Sequence, residues 1–479
     1  MALVVGGLLR FHNPAHPWLS HDEVFTLLRS AGYRAVELDT LKAQRGPVPA
    51  AALQTFLKLS PFHLWSDTLG ALVNNPEHPP LYFLLARFVR ERLNDSIAAL
   101  RQLSGLFSLL VLPAIHQLSR EVSARAGVAA LAVAMVAVSP LQLLYAQDAR
   151  PYSLLFLLTT LACCAYLRLR RRGDTASSWV YCFTLVSGLY TSLIFLVVLL
   201  SHGLHAWLPG SPPGHRTRWG IAMAGAATAF LPWLLVMAQG LGPILRHTAW
   251  LREPAGSLPA PLIRSLHWSS PFLDLGDSAP AWMPLLLLPV LVVLAWIGII
   301  VLRRKGEPGG WSLLMLLLLC NGLAVALPDL LLGGRHSLVT RYLLPASLSV
   351  VLLVAAGLEA LLHTQRLRLV GLTLLTLLVL GGTASCLKIL SADTWWSRYS
   401  FDQKAIRDQL ESQPDRVLRV VRSSSSSGEA VALSQKLMPE TLLFFADAPL
   451  PPEHPAVLSS HQLGQVLIRS NQIGGKVDN

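Results

Sequence analysis

The 479-residue chain is 53% hydrophobic and only 14% charged, with a mean hydropathy of +0.49, which excludes an ordinary soluble domain and puts most of the chain in lipid. Its net charge of +12 would suit a nucleic-acid binder. The basic residues, however, fall in short clusters between apolar runs, where the positive-inside bias of membrane proteins puts them, so no nucleic acid is expected as a partner.

Met1 to Phe11 lacks the basic start and small-residue cleavage site of a signal peptide and reads as the end of a first membrane helix. At about 1.5 Å per residue it covers roughly half the hydrocarbon core. A first outer loop over about 12–99 follows. Within it, Pro79 to Leu93 is read as a helix lying at the outer interface, with Arg87, Arg90 and Arg92 snorkelling toward phosphates or water. Apolar runs of spanning length cover about 101–118, 126–146, 152–168, 179–192, 193–208, 219–238, 282–302, 311–328, 342–362 and 369–390. The continuous stretch 179–208 must be split near Tyr190-Thr191-Ser192, and the N-terminal segment brings the expectation to about eleven transmembrane helices.

The loops after alternate helices carry Arg120 and Arg125, Arg168 to Arg172, Arg216 and Arg218, Arg303 to Lys305, then Arg366 and Arg368, and this side is assigned to the cytoplasm. The outside then receives 12–99, a turn at Gln147 to Arg150, loops at 239–281 and 329–341, and the tail after 390. The expected fold class is an all-α polytopic membrane protein, with a membrane-embedded domain over 1–390 and a small non-cytoplasmic α/β tail over 391–479. The tail shows apolar runs at Val417 to Val421 and Leu442 to Phe445 around a helical stretch at Glu429 to Met438. Ser423 to Ser427, followed by Gly428, reads as a flexible linker because no Gly-x-x-x-x-Gly-Lys frame surrounds it. Cys163, Cys164, Cys182, Cys320 and Cys386 show neither metal-ligand spacing nor a disulfide pattern.

Polar residues gather at the outer side in four constellations. In His21-Asp22-Glu23, two adjacent carboxylates can activate an acceptor hydroxyl or amine, hold a hard divalent cation, or simply cap the helix that follows. In Asn75-Pro76-Glu77-His78-Pro79-Pro80-Leu81-Tyr82, the prolines fix a helix start, where the positive end of the dipole welcomes a phosphate. Gln147-Asp148-Ala149-Arg150-Pro151-Tyr152 lies between two membrane helices, where charges serve a substrate path or form a local ion pair. Arg335-His336 and Thr340-Arg341-Tyr342-Leu343-Leu344-Pro345 place arginine outside, against the positive-inside bias, and that placement favours a ligand role.

The order Asp22-Glu23, His78 to Tyr82, Gln147 to Tyr152 and Arg341 to Pro345 resembles that of bacterial C-type glycosyltransferases. These are the relatives of the dolichyl-phosphate-mannose–protein mannosyltransferases and lipid A aminoarabinose transferases, a glycosyltransferase family 39-like group. Similarity covers about residues 8–360. The resemblance implies a hexosyl- or pentosyltransferase in the bacterial inner membrane, with its active site on the non-cytoplasmic side. It implies inverting transfer from a polyprenyl-phosphate sugar donor to a lipid, glycan or protein acceptor. Asp22 would be the acid/base carboxylate, Glu23 its neighbour and Asp148 the acid of the second outer motif. Arg150 and Arg341 would hold the donor phosphate bidentately, with His78, Tyr152 and Tyr342 lining the cleft. A divalent cation, with Asp22 and Asp148 as candidate ligands, stays open. The chain departs from the family pattern in carrying His21 before Asp22, where an apolar residue is usual, and in having Trp18 earlier than the usual tryptophan. The competing class is a transporter or lipid flippase, and a third reading is a non-catalytic assembly subunit. Ion-coupled transporters carry ionisable groups near mid-membrane, whereas 126–146, 219–238 and 282–302 hold none.

Overall fold

The computed structural model describes residues 1–44, 46–254, 260–276, 282–395, 407–408, 417–421, 424–446 and 466–469. In chain order its helices begin with α1 (Ala2–Phe11), α2 (His21–Ala31), α3 (Ala35–Lys42), α4 (Ala50–Gln54), α5 (Trp65–Val73), α6 (Leu81–Arg92) and α7 (Ile97–Val122). There follow α8 (Ala126–Ala137), α9 (Pro140–Ala146), α10 (Tyr152–Arg172), α11 (Thr175–Leu189), α12 (Phe195–Ala206), α13 (His215–Gln239), α14 (Leu241–His247) and α15 (Ala260–Ser269). The series ends with α16 (Trp282–Lys305), α17 (Gly310–Leu332), α18 (Leu344–His363), α19 (Arg368–Ser391) and α20 (Ser424–Ser434). Four strands complete it: β1 (Pro47–Pro49), β2 (Val417–Val421), β3 (Leu442–Ala446) and β4 (Val466–Arg469).

Among the described residues 7 helices are long and apolar enough to cross a membrane, or 8 if the bent pair α8 and α9 is one span. The count falls short of the expected eleven because α1, α11 and α12 have 10, 15 and 12 residues, against about 20 for a full crossing. The split of 179–208 is where the sequence places it, since the chain turns between Leu189 and Phe195.

Contacts divide the chain into two compact units, the first being Met1–Pro14, Asn75–Tyr82 and Arg101–Ser391. At its centre lie α10 and α18, the spans most enclosed by protein, with 89% of their apolar windows buried against 22% for α13 and α16. The outer spans leave a leucine-rich face for lipid, while the central ones bury theirs against neighbours. α16 and α18 touch backbone to backbone: a Cβ on Gly298 would lie 2.0 Å from the Leu353 carbonyl oxygen, and one on Gly357 would lie 2.0 Å from that of Leu294. α8 stops at Val138, and α9 restarts at an angle of 54°. Ser139 caps the new helix by accepting from Gln142 N, and Pro140 occupies its first turn.

The arginine clusters gather where helix ends meet. The Glu121 carboxylate of α7 accepts from Arg168 Nε at 2.8 Å and pairs with Arg171, both of α10. Arg125 pairs with Glu359 of α18 at 2.7 Å, and Arg170 donates to the carbonyls of Pro308 and Gly210. Between these ends, α12 carries two buried histidines: His202 bonds to Tyr181 Oη at 2.9 Å and His205 to Tyr166 Oη at 2.8 Å.

The second unit comprises Ala15–Asn74, Phe83–Leu100 and Ala392–Asn479. Its sheet has the order β1-β3-β2-β4, with β2 and β3 parallel and the outer pairs antiparallel. The segment between α1 and α7 therefore supplies an edge strand to the tail. Gln54 Nε2 donates to the carbonyls of Ser434 and Leu437, and Ala50 N donates to Thr441 O at 2.8 Å. Two expectations change here. Ser424 to Ser427 form the first turn of α20 rather than a linker, in keeping with serine's preference for helix starts. Arg87 and Arg90 do not snorkel: they are 3% and 2% exposed and point into the unit. Arg90 meets Asp95 at 2.6 Å and the buried C-terminal part of α2 at Leu27 O, and Arg87 meets Glu91, Thr68 and His63 O. A cation at a helix C-terminus is where the helix dipole favours one. Burial depresses the Arg90 pKa, and the Asp95 carboxylate opposes that shift. Only Arg92 faces outward as expected.

Candidate active site

In the first unit the site is built on the turn between α9 and α10. Gln147, Asp148, Arg150 and Tyr152 are all buried there, and the turn is tightened by Arg150 N donating to Asp148 O at 2.7 Å. The Arg150 guanidinium lies 5.6 Å from the Tyr152 ring centre, and that of Arg341 lies 5.9 Å from the same ring. Two sequence-distant arginines thus share one aromatic platform. Arg341 also lies 5.5 Å from Tyr342 and 5.8 Å from Trp250, so four of the expected binding residues come together: Arg150, Tyr152, Arg341 and Tyr342. Trp250, in the turn that follows α14, was not expected.

The loop that presents Arg341 is tied down on both sides. Asp329, near the end of α17, accepts from His336 N and Ser337 N at 2.7 Å each and from His336 Nδ1 at 3.0 Å. Arg335 donates to Trp250 O at 2.7 Å and pairs with Glu253. His267 of α15 faces Ser337 O at 3.2 Å, and burial lowers its pKa to about 4. It is therefore neutral at physiological pH, with Nδ1 donating to that carbonyl.

The proline-rich motif is fixed by Trp233 Nε1 donating to Pro76 O at 3.2 Å and by Leu81 N donating to Tyr190 O at 2.9 Å. It holds Glu77 between two histidines: His247 Nδ1 is 3.0 Å from Glu77 Oε1, and His78 Nε2 is 3.9 Å from it. The sequence singled out His78 as a lining residue; in the structure His78 and His247 flank the Glu77 carboxylate. His247 lacks any local pattern that would have marked it.

Asp22 and Glu23 belong to the second unit, at the start of α2. The helix is capped by Ser20, whose Oγ accepts from Glu23 N at 3.2 Å while Glu23 Oε2 accepts from Ser20 N at 3.0 Å. The capping role that competed with chemistry for Asp22 therefore falls to its neighbours. Glu23 is fully buried, and Asp22 is half-buried in the first turn. His21 is matched by Gly428 of α20, where a Cβ would stand 2.5 Å from His21 Nδ1. Among the described residues no three His, Cys, Asp or Glu side chains converge as a metal site.

No family model matches the chain, and no curated protein matches it. Solved structures do. The oligosaccharyltransferase of Archaeoglobus fulgidus in its apo form matches with a TM-score of 0.52 at 12% identity over 90% of this chain and 63% of that one. The aminoarabinose transferase ArnT from Cupriavidus metallidurans, in its apo state, matches with a TM-score of 0.50 at 11% identity over 90% and 83%. ArnT bound to undecaprenyl phosphate scores 0.48 at 13% identity over the same shares, too low to add weight. The chain spans less than two thirds of the oligosaccharyltransferase. Identities this low speak for the fold, and the fold is the one that the order of the four motifs led us to expect: the chain is an integral membrane protein with the architecture of the C-type glycosyltransferases.

Proposed function

We propose that this protein is a membrane glycosyltransferase that moves a sugar from a polyprenyl-phosphate donor to a lipid, glycan or protein acceptor on the non-cytoplasmic face. The observation that carries this reading is the convergence of Arg150 and Arg341 on Tyr152. Two planar guanidinium groups held against one ring bring a dense set of charged N–H donors to one place, which suits an anionic ligand. A phosphate, which accepts paired N–H bonds from each planar fork, is the anion that suits them.

In this reading the acceptor hydroxyl or amine attacks the anomeric carbon as the bond from that carbon to the phosphate oxygen breaks. The phosphate leaves with the bonding electrons and the configuration inverts. Asp22 takes the acceptor proton, Glu23 fixes the helix turn that carries Asp22, and Asp148 orders the arginine turn from within. His78 and Tyr342 line the donor's path. In the membrane we read α1, α11 and α12 as further crossings, which returns the count to eleven.

The test is a donor titration of purified, reconstituted Arg150→Lys and Arg341→Lys with a fixed acceptor. Because the leaving phosphate gains charge as the bond breaks, the arginine contacts strengthen in the transition state. Each lysine variant should therefore lower kcat roughly tenfold or more and raise donor KM. Near-wild-type values for both would sink the clamp, since a lysine replaces a merely surface-pairing arginine at a cost of about 0–1 kcal/mol.

A further inference from the structure

The bend between α8 and α9 interrupts the helical ladder inside the apolar unit, leaving Val136 O with a tight-turn bond from Ser139 N at 3.3 Å, and Arg10 meets the last carbonyls of α8. Arg10, at the end of α1, is 1% exposed. Its Nη2 donates to Val136 O at 2.9 Å and its Nη1 to Ala137 O at 3.0 Å, the last carbonyls of α8. Its Nε donates to Ser108 Oγ at 2.8 Å, and Nη1 also reaches Gly6 O at 3.1 Å. The Ser108 hydroxyl passes the contact on to Gln142 O in α9 at 3.3 Å. The remaining carbonyl of the break, Val138 O, accepts from Cys386 Sγ at 3.3 Å. Two residues beyond Arg10, His12 O accepts from Gln147 Nε2 at 3.0 Å, at the far end of α9.

We propose that Arg10 is a positioning residue, bracing the broken span so that α9 delivers the Gln147 to Arg150 turn in a fixed place. The inference rests on the reading that this turn serves sugar transfer. In lipid an interrupted helix survives only where protein groups satisfy the freed backbone. A guanidinium suits this role because it is permanently charged and weakly hydrated, and its planar fork reaches several acceptors at once. It also sits at the C-terminal end of α8, where the helix dipole favours a cation. Lysine, with its donors on a single atom, cannot reach Val136, Ala137 and Ser108 together. Gly6 leaves room for the side chain, since a Cβ there would stand 3.2 Å from Arg10 Nη1 and 2.8 Å from Leu112 Cδ1. The brace therefore runs from the N-terminal helix through the bend to the turn that carries Asp148 and Arg150.

Hydrogen exchange of the purified full-length protein, read by mass spectrometry beside transfer kinetics, tests this with Arg10→Lys and Arg10→Gln. Segment 138–151 should exchange faster in both variants, while α18 over 344–363 keeps its protection. kcat should fall about tenfold for lysine and about a hundredfold for glutamine, the scale expected of a misplacement near 1 Å. If either arginine variant fails to insert, Ser108→Ala removes the Nε partner together with the donor to Gln142 O, leaves the contacts of Arg10 with Val136 O and Ala137 O, and should give a smaller change in the same segment. Unchanged exchange over 138–151 in a folded variant overturns the brace, and so does a rise shared equally by 344–363. Faster local exchange with wild-type transfer leaves the brace standing and removes the 147–150 turn from the reaction.

Discussion

Asp22 and Glu23 lie side by side in sequence and differ in what their neighbours ask of them. Glu23 Oε2 is taken up by Ser20 N in a capping box, so its carboxylate is committed to starting α2. Asp22 occupies the next position toward the helix start, in a half-buried setting, with no share in that box. The two substitutions should therefore separate. Asp22→Asn keeps shape and hydrogen-bonding reach but removes the base, and should lower kcat by the 10²–10⁴-fold typical of a lost acid/base group, roughly, with normal expression. Glu23→Gln should instead leave kcat within a few-fold and cost about 1 kcal/mol of stability, the scale of a lost cap. Steady-state transfer and thermal unfolding of both variants decide between these roles, and an Asp22→Asn variant with more than about a tenth of wild-type activity would reduce Asp22 to a structural residue. Arg150 and Arg341, which the structure brings to one ring, could be singled out in sequence because charge outside a membrane span is conspicuous. His247 and Trp250 could not: they join the site through contacts with distant stretches of chain, His247 with Glu77 and Trp250 with Arg341 and Arg335.

At the scale of elements, apolar run length was decisive, because a helix must satisfy its own backbone across the hydrocarbon and therefore announces its length. What run length does not encode is where two helices touch. The 126–146 run gives no warning of the 54° bend beyond Ser139-Pro140, since the carbonyls it frees are met by Arg10 from outside the run. The glycines of the α16–α18 crossing are equally silent in sequence, yet each packs directly on a carbonyl oxygen of the opposite helix. Because a Cβ at Gly357 would stand 2.0 Å from Leu294 O, a backbone atom that cannot rotate away, Gly357→Ala must push the helices apart. α18 follows directly on the turn bearing Arg341, so the displacement should reach the site as well. Gly357→Ala should lower stability by about 1–3 kcal/mol, the usual range for overpacking. Thermal unfolding in detergent reads this, and an unchanged midpoint would mean that the two backbones do not meet as described. Gly322, with nothing within 4 Å of its Cβ position, is the control that should tolerate alanine.

For the whole molecule, sequence patterning gave a membrane part and a tail, and the structure divides the residues by a different logic. Pro47–Pro49 pairs antiparallel with Leu442, Leu443 and Phe444, and the pairing uses main-chain groups, of which the two prolines can lend only carbonyls, so it leaves little trace in side-chain pattern. Orientation is the opposite case, because it is written in side chains. The hydrogen bonds of Glu121 with Arg168 and Arg171, and of Arg170 with Pro308 O and Gly210 O, gather the basic clusters at shared helix ends of the first unit. By the positive-inside bias we propose that those ends are cytoplasmic and the Arg341 loop external. The five native cysteines lie in helices, four of them buried, which keeps the labelling background low. Engineered cysteines can then be placed at exposed positions that avoid strained glycines: Pro254→Cys in the loop after α14, Ala176→Cys in the first turn of α11, and Lys305→Cys at the end of α16. In intact spheroplasts a membrane-impermeant maleimide should label Pro254→Cys and leave Ala176→Cys and Lys305→Cys untouched until the membrane is opened. The reverse pattern would turn the molecule over and carry Arg150 and Arg341 to the cytoplasmic face, where a donor presented from outside could not reach them.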